Sequence, residues 1–179
     1  MEALTAFLRE KGDSVYPDAN GTLRVTFGNV RGYSPRDSVT HTPFTTMRGI
    51  IEKDTGKEPF NTPAPALALM KQEQFGNYRD SALNSVPINF LTTVDTTGGN
   101  SGSPTLNARG ELVGLLFDGN YESMIADWDY LPQITRSIHV DIRYVLWVMD
   151  ELGGANHILK EMGIDPAAEL RAGTAASGQ

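Results

Sequence analysis

Cysteine is absent from the 179-residue sequence, so disulfides and thiolate metal sites are excluded, while an oxidising compartment is not. Histidine is scarce. Only His41, His139 and His157 occur, and no two have the spacing of a metal-ligand pair, so no metal is expected. Lys and Arg total 15 against 22 Asp and Glu, for a formal net charge of -7 and a pI near 4.9. No basic cluster offers a phosphate-binding face, which argues against a nucleic-acid partner. No apolar run approaches the length of a membrane span, and Met1 to Glu10 lacks the basic and apolar regions of a signal peptide. An exported form would need a start that this stretch does not supply.

What is present, 40% hydrophobic and 21% charged residues, fits one soluble globular domain able to bury a core. Ala3 to Lys11 puts Leu4, Phe7 and Leu8 on one helical face before Gly12, so residues 1–12 read as the end of a preceding helical segment. Residues 13–163 form the body and 164–179 a flexible tail, disordered from Ala172 by composition. Tyr16 to Gly21 is a turn ending in Asn-Gly, after which Leu23, Val25 and Phe27 alternate with polar residues as in a half-buried strand. Val30 to Tyr33 is expected to pair nearby, and Pro35 to Phe44 to be polar loop. Met47, Ile50 and Ile51 mark a short helix stopping near Gly56. Lys57 to Pro65, with three prolines, is a surface connection, and Ala66 to Phe75 is compatible with helix or irregular strand. Strands are expected over Val86 to Val94, Glu111 to Phe117 and Ser137 to Val140, with Asn107 to Gly110 turning a β-hairpin. Asp118 to Gln133 is an acidic loop whose Tyr121, Trp128 and Tyr130 suit pocket lining as well as plain packing. Asp141 is placed to cap a helix running to Gly153, and a shorter helix follows to Gly163.

The chemistry concentrates in Thr96 to Pro104, where Gly99-Asn100-Ser101-Gly102-Ser103-Pro104 makes Ser101 a candidate nucleophile. A serine hydroxyl needs a base to take its proton and N–H dipoles for the oxyanion that forms. Gly99 and Gly102, lacking Cβ, allow a tight and partly left-handed path that aims successive N–H groups at one point. The pattern Gly-x-Ser-Gly-x-Pro is similar to the nucleophile loop of chymotrypsin-fold serine peptidases. That resemblance makes the N–H groups of Gly99 and Ser101 the oxyanion donors. A plain glycine- and serine-rich turn is the simpler alternative. Such a peptidase also needs a histidine base and an orienting aspartate, which in this fold precede the serine. Only His41 precedes Ser101, with Asp54 or Asp80 as formal orienters. Two barrels' worth of strands would need well over about 100 residues ahead of the serine. His41 therefore reads as a loop histidine and His157 as a helix-surface one. His139 and Asp141 share a strand face but follow the serine. The base and orienter are expected outside this chain.

Over nearly all its ordered length the chain resembles the bacterial chymotrypsin-fold serine dipeptidyl peptidases, the group of dipeptidyl peptidases seven and eleven. The matching stretches are Tyr16 to Gly28, Gly32 to Asp37, Thr96 to Glu122 and Ser137 to Leu159. The resemblance implies a mainly β fold, the second barrel of a chymotrypsin-like double barrel with C-terminal helices. A first barrel and an inserted helical domain would lie in a longer protein. It further implies a homodimeric, periplasmic or cell-surface enzyme, without metal or organic cofactor, that releases dipeptides from free N-termini of peptides. On the same resemblance Asp118 holds the substrate's terminal ammonium, as a carboxylate suits a cation. The commoner role of such a residue is to cap its own backbone. Gly119 would be the specificity position, whose glycine form implies an apolar penultimate residue. Two alternatives stay open, a non-catalytic peptide-binding module and an endopeptidase of the same fold. The segment alone is expected to be inactive and to self-associate through its open face.

Overall fold

The computed structural model describes residues 2–12 and 21–167. Seven strands occur among them: β1 (Tyr33–Arg36), β2 (Val39–His41), β3 (Phe44–Thr46), β4 (Pro87–Thr92), β5 (Pro104–Leu106), β6 (Leu112–Gly119) and β7 (Ser137–Asp141). The helices are α1 (Glu2–Glu10), α2 (Met47–Lys53), α3 (Ala64–Lys71), α4 (Ile142–Trp147) and α5 (Asn156–Glu161). Five strands form an antiparallel sheet in the order β3-β4-β7-β6-β5, while β1 and β2 form a separate ribbon. The β character expected from the sequence is thus seen, but the closed barrel is not. Among the described residues β3 and β5 are unbonded edges. Helices α2, α3 and α4 pack at one end of the sheet instead of further strands.

One face of the sheet is buried through alternation, which on β4 holds from Ile88 onward. Ile88, Phe90 and Thr92 on β4 lie beside Ser137, His139 and Asp141 on β7, with Gly114 and Leu116 on β6 completing the row. Phe90 stacks on the His139 ring with centroids 4.9 Å apart. Gly114 is required there, because a Cβ would lie 2.6 Å from both the Phe90 ring and the Val140 carbonyl. At the end of the sheet, Met47 of α2, Met70 of α3, Val86 and Trp147 of α4 are buried to 1% exposure or less. Burying side chains of this size stabilises the fold by roughly 1.5–3 kcal/mol each. The indole N–H of Trp147 donates to Gln74 O at 2.8 Å, so its one polar atom is satisfied.

Asp141 caps α4 as expected, its Oδ1 accepting the Arg143 N–H at 2.9 Å. The Arg143 guanidinium then joins Asp141 (2.8 Å) to Asp80 (2.6 Å). The helix tightness changes after Trp147: Val148–Leu152 takes a π turn before Gly153. Asp150 within that turn accepts the Tyr78 hydroxyl at 2.7 Å and the Ala167 N–H at 2.9 Å, binding three distant segments together.

Two expectations of secondary structure are corrected and one left open is decided. Residues 23–27 are not a half-buried strand, since Leu23, Val25 and Phe27 are 93%, 81% and 92% exposed. Pairing begins only beyond Gly28, where Thr93 N donates to Asn29 O and Arg31 N to Leu91 O. Pro35 to Phe44 is not plain loop but carries the β1–β2 ribbon, and Ser38 makes its turn with φ of 62°. Pro35 is tolerated because a two-stranded ribbon is all edge. Ala66 to Phe75 resolves as helix α3 followed by a short non-helical stretch to Phe75, not as strand. The expected turn over Tyr16 to Asn20 and the tail beyond residue 167 lie outside the described residues, whereas residues 164–167, expected as flexible tail, are packed at Pro166 and Ala167, with Ala167 5% exposed and its N–H held by Asp150.

Candidate active site

The loop after β4 is tied to β6 by two hydrogen bonds that also aim it. Gly102 N donates to Leu116 O at 2.7 Å and Leu116 N to Ser103 O at 3.0 Å. Within the loop, Asn100 N donates to Thr97 O and Ser103 N to Asn100 O, while the Asn100 side chain accepts from Thr97 N. Gly99 has φ of 100° and Gly102 of 84°, a region in which L residues are strained. The outcome is an alternation of committed and uncommitted donors. Among the described residues, the N–H groups of Gly99 and Ser101 donate to no protein acceptor, and neither does the exposed Ser101 hydroxyl engage one.

Ser101 lines a cleft of about 270 Å³ shared with Thr96, Leu116, Asp118, Gly119 and Ser123 among others. The long strand β6 makes this possible by carrying Leu116 under the serine loop and Asp118 and Gly119 at its end. A register irregularity between Leu116 and Asp118 turns that end. Asp118 Oδ1 accepts the N–H of Gly119 at 2.8 Å, the local capping that an aspartate before glycine commonly shows, and its second oxygen has no described partner. Asp127 lies in the same cleft, and the neighbouring Asp95 has its carboxyl pushed above the usual range, first by burial and then by the Asp127 charge.

Sequence reasoning missed Ser123, Met124 and Asp127 as cleft residues and named only the aromatic side chains of the same loop, equally as pocket lining or plain packing. Tyr121 and Trp128 are instead 84% and 64% exposed, and the Tyr130 hydroxyl donates to Thr93 O at 2.6 Å. The signal that was available is Asn120, a buried residue that starts the short 3-10 turn Tyr121–Ile125 and swings Ser123 back over Gly119.

No histidine of the chain lines the serine cleft. His41 sits on β2, its ring 5.0 Å from Tyr33, and lines a different cavity of about 380 Å³ with Asn89, Leu91 and Ile138. Its formal orienters are engaged elsewhere, Asp54 by the Thr62 N–H at 2.7 Å and Asp80 by Arg143. His157 is exposed on α5. His139 is 3% exposed and bonded through both ring nitrogens, to Thr92 Oγ1 and Thr105 Oγ1, each at 2.7 Å. Burial pulls its pKa down to about 4. In the unfolded chain His139 regains an ordinary value near 6.5. Stability is therefore unaffected above that pH and falls as pH drops from about 6.5 to 4, where only the unfolded state takes up the proton. A loss of about 3 kcal/mol by pH 4 is expected from this group. Urea midpoints at pH 7 and 4.5 check it, and a His139→Gln variant with an equally large drop would refute it.

An exposed serine with uncommitted amide donors beside it, facing a cleft that also holds a carboxylate, has the chemistry of half a serine hydrolase site. The chain belongs to the Peptidase S46 family, whose model matches residues 1–164. It is 45% identical to the Asp/Glu-specific dipeptidyl-peptidase of Shewanella putrefaciens, over 92% of this chain and 25% of that protein. It is 48% identical to the dipeptidyl-peptidase 7 of Phocaeicola vulgatus, over 83% and 20% respectively. Among solved structures, DPP11 of Porphyromonas endodontalis in complex with the dipeptide Arg-Asp superposes with a TM-score of 0.80 at 43% identity, covering 88% of this chain and 23% of that one. The chain thus spans about a quarter of the length of the curated relatives it matches. The apolar preference expected from Gly119 is corrected by these relatives. Those named Asp/Glu-specific are about as similar to the chain as those named dipeptidyl-peptidase 7, so kinship selects no apolar substrate.

Among the described residues no helix is long and apolar enough to cross a membrane, and no group of three His, Asp or Glu side chains is placed to hold a metal ion.

Proposed function

We propose that this chain is the nucleophile-bearing part of a serine dipeptidyl peptidase. Ser101 forms the acyl-enzyme, and the Gly99 and Ser101 N–H groups receive the oxyanion. The free oxygen of Asp118 takes the terminal ammonium of the peptide. The observation that carries the reading is the shared cleft: Ser101, Asp118 and Gly119 line one space of about 270 Å³, beside two amides that no group among the described residues uses. With His41 and His139 occupied elsewhere, the general base and its orienter come from the additional length that the relatives possess. The isolated chain is then inert. The partners on this reading are a peptide substrate, the first barrel and helical domain of the same protein, and a second copy in a homodimer. A periplasmic or cell-surface location goes with peptide degradation of this kind.

A fluorophosphonate probe tests the central claim. The protein at the full length of its relatives is expected to label at Ser101, and the 179-residue chain to remain unlabelled. Stoichiometric labelling of the short chain would show that the base lies within it. An unlabelled full-length protein that still binds peptides would leave the binding-module reading. Release of internal fragments from N-terminally blocked peptides would make it an endopeptidase and remove the role given to Asp118.

A further inference from the structure

We propose that Ser123 is a specificity-determining residue of the Ser101 cleft and works as a pair with Gly119. The inference rests on the peptidase reading above. Gly119, at the end of β6, has ordinary strand geometry, so backbone conformation does not demand a glycine there. Space does. A Cβ built on residue 119 would collide with Ser123 Oγ and lie 3.2 Å from Ser123 Cβ. Both residues line the cleft that holds Ser101. The volume that a side chain at 119 would enter is therefore filled by the Ser123 hydroxymethyl group, reached from the neighbouring turn. In this chain it is Ser123, and not residue 119, that presents a side chain at that point of the wall.

Ser123 is held there. Its hydroxyl donates to Asn120 O at 2.7 Å and its own N–H donates to the same carbonyl at 2.9 Å. Asn120 is buried, and its side chain is saturated. Nδ2 donates to Ile134 O at 2.7 Å and to Glu122 at 2.8 Å, and Oδ1 accepts the Arg136 N–H at 2.8 Å. Asn120 N in turn donates to Arg136 O at 2.9 Å. With its proton committed to Asn120 O, the Ser123 oxygen meets a substrate as an acceptor only. A side chain of the peptide lying against this wall thus finds a fixed depth and an acceptor, both set by residue 123. The pair also predicts that residue 119 cannot gain a side chain unless Ser123 yields.

The test has two arms. On the protein at the length of its relatives, kcat/KM is measured for peptides whose first and second residues are varied separately from Ala to Phe. Ser123→Gly is expected to shift the ratio of large to small side chains about tenfold in favour of large ones, at one of the two positions. Ser123→Thr, which adds a methyl group, is expected to shift it the other way. A common factor on every substrate in both variants means that Ser123 is only structural, and overturns the proposal. No turnover by the unsubstituted protein defeats the peptidase reading itself and this assignment with it. The second arm is thermal unfolding of the 179-residue chain, which needs no activity. Gly119→Ala alone is expected to lower the midpoint by about 2–4 °C. The double variant with Ser123→Gly is expected to recover more than half of that loss relative to Ser123→Gly alone. Strictly additive shifts would overturn the pairing.

Discussion

Ser101→Ala is expected to lower dipeptide release by the full-length protein at least about a thousandfold, with the unfolding temperature unchanged. The substitution removes the only atom assigned to bond formation and leaves the rest of the loop intact. An alanine keeps the N–H at 101, so both proposed oxyanion donors survive, and the hydroxyl it deletes has no described protein partner. Whatever activity remains then measures binding and oxyanion stabilisation without a nucleophile, a residue of catalysis that acyl-transfer sites commonly retain. Progress curves with a chromogenic dipeptide substrate, run beside a melting curve, decide the matter. A variant with more than a tenth of the parental rate, still folded, would remove Ser101 from the mechanism. A variant that melts several degrees lower would mean that the hydroxyl has a structural partner in the longer protein.

Arg136→Met is expected to destabilise the 179-residue chain by about 3–5 kcal/mol, since several buried carbonyls lose their donors at about 1–3 kcal/mol each and relaxation recovers part of the loss. Arg136 is 1% exposed, yet no carboxylate faces it in the described hydrogen-bond network. Its guanidinium is satisfied by backbone carbonyls: Nε donates to Arg31 O and Gly32 O, Nη1 to Pro132 O and Thr135 O, and Nη2 to Gly32 O and Gln133 O. These acceptors belong to the entry of β1 and to the loop before β7, so the side chain staples two segments separated by about a hundred residues of sequence. Removing it leaves several carbonyls without donors in a place water reaches poorly. Arg136→Lys is expected to recover little. One ammonium has three donors on a single atom, whereas the acceptors here surround a planar fork. Urea titrations of the two variants measure the effect, and a loss below about 1 kcal/mol for Arg136→Met would show that the staple is dispensable. Because Arg136 also positions Asn120 through its backbone, the same variants should loosen the wall of the serine cleft.

Local features of the sequence were read well where the physical cause was local. The glycine-turned serine loop, the Asp141 cap and the strands near Val86 to Val94 and Ser137 to Val140 depend on neighbours within a few residues. The misreadings depend on partners far along the chain. Leu23, Val25 and Phe27 alternate as a strand face does, but alternation states only that one side is apolar, and no described strand takes that side. The polar composition of Pro35 to Phe44 hid a ribbon because a two-stranded ribbon has no buried face to announce itself. Closure of the sheet was inferred from resemblance, and open edges cannot be read from periodicity. Ser123 was passed over for a similar reason: its place beside Gly119 follows from the 3-10 turn after Asn120, whereas the aromatic residues of the same loop drew attention by size alone.

The attachment of the serine loop to β6 has a metric consequence. Hydrogen bonds at Leu116 set where Ser101 stands over the strand, and Asp118 lies two residues further along the same strand. A regular strand advances about 3.3 Å per residue, so two residues span at most about 7 Å, an upper bound here because the register is irregular between Leu116 and Asp118. An extended peptide advances by nearly the same amount per residue, roughly 7 Å for two. On the proposed reading, which puts the ammonium at Asp118 and the scissile carbonyl at Ser101, β6 would act as a ruler graduated in residues, and the length it would mark off is a dipeptide.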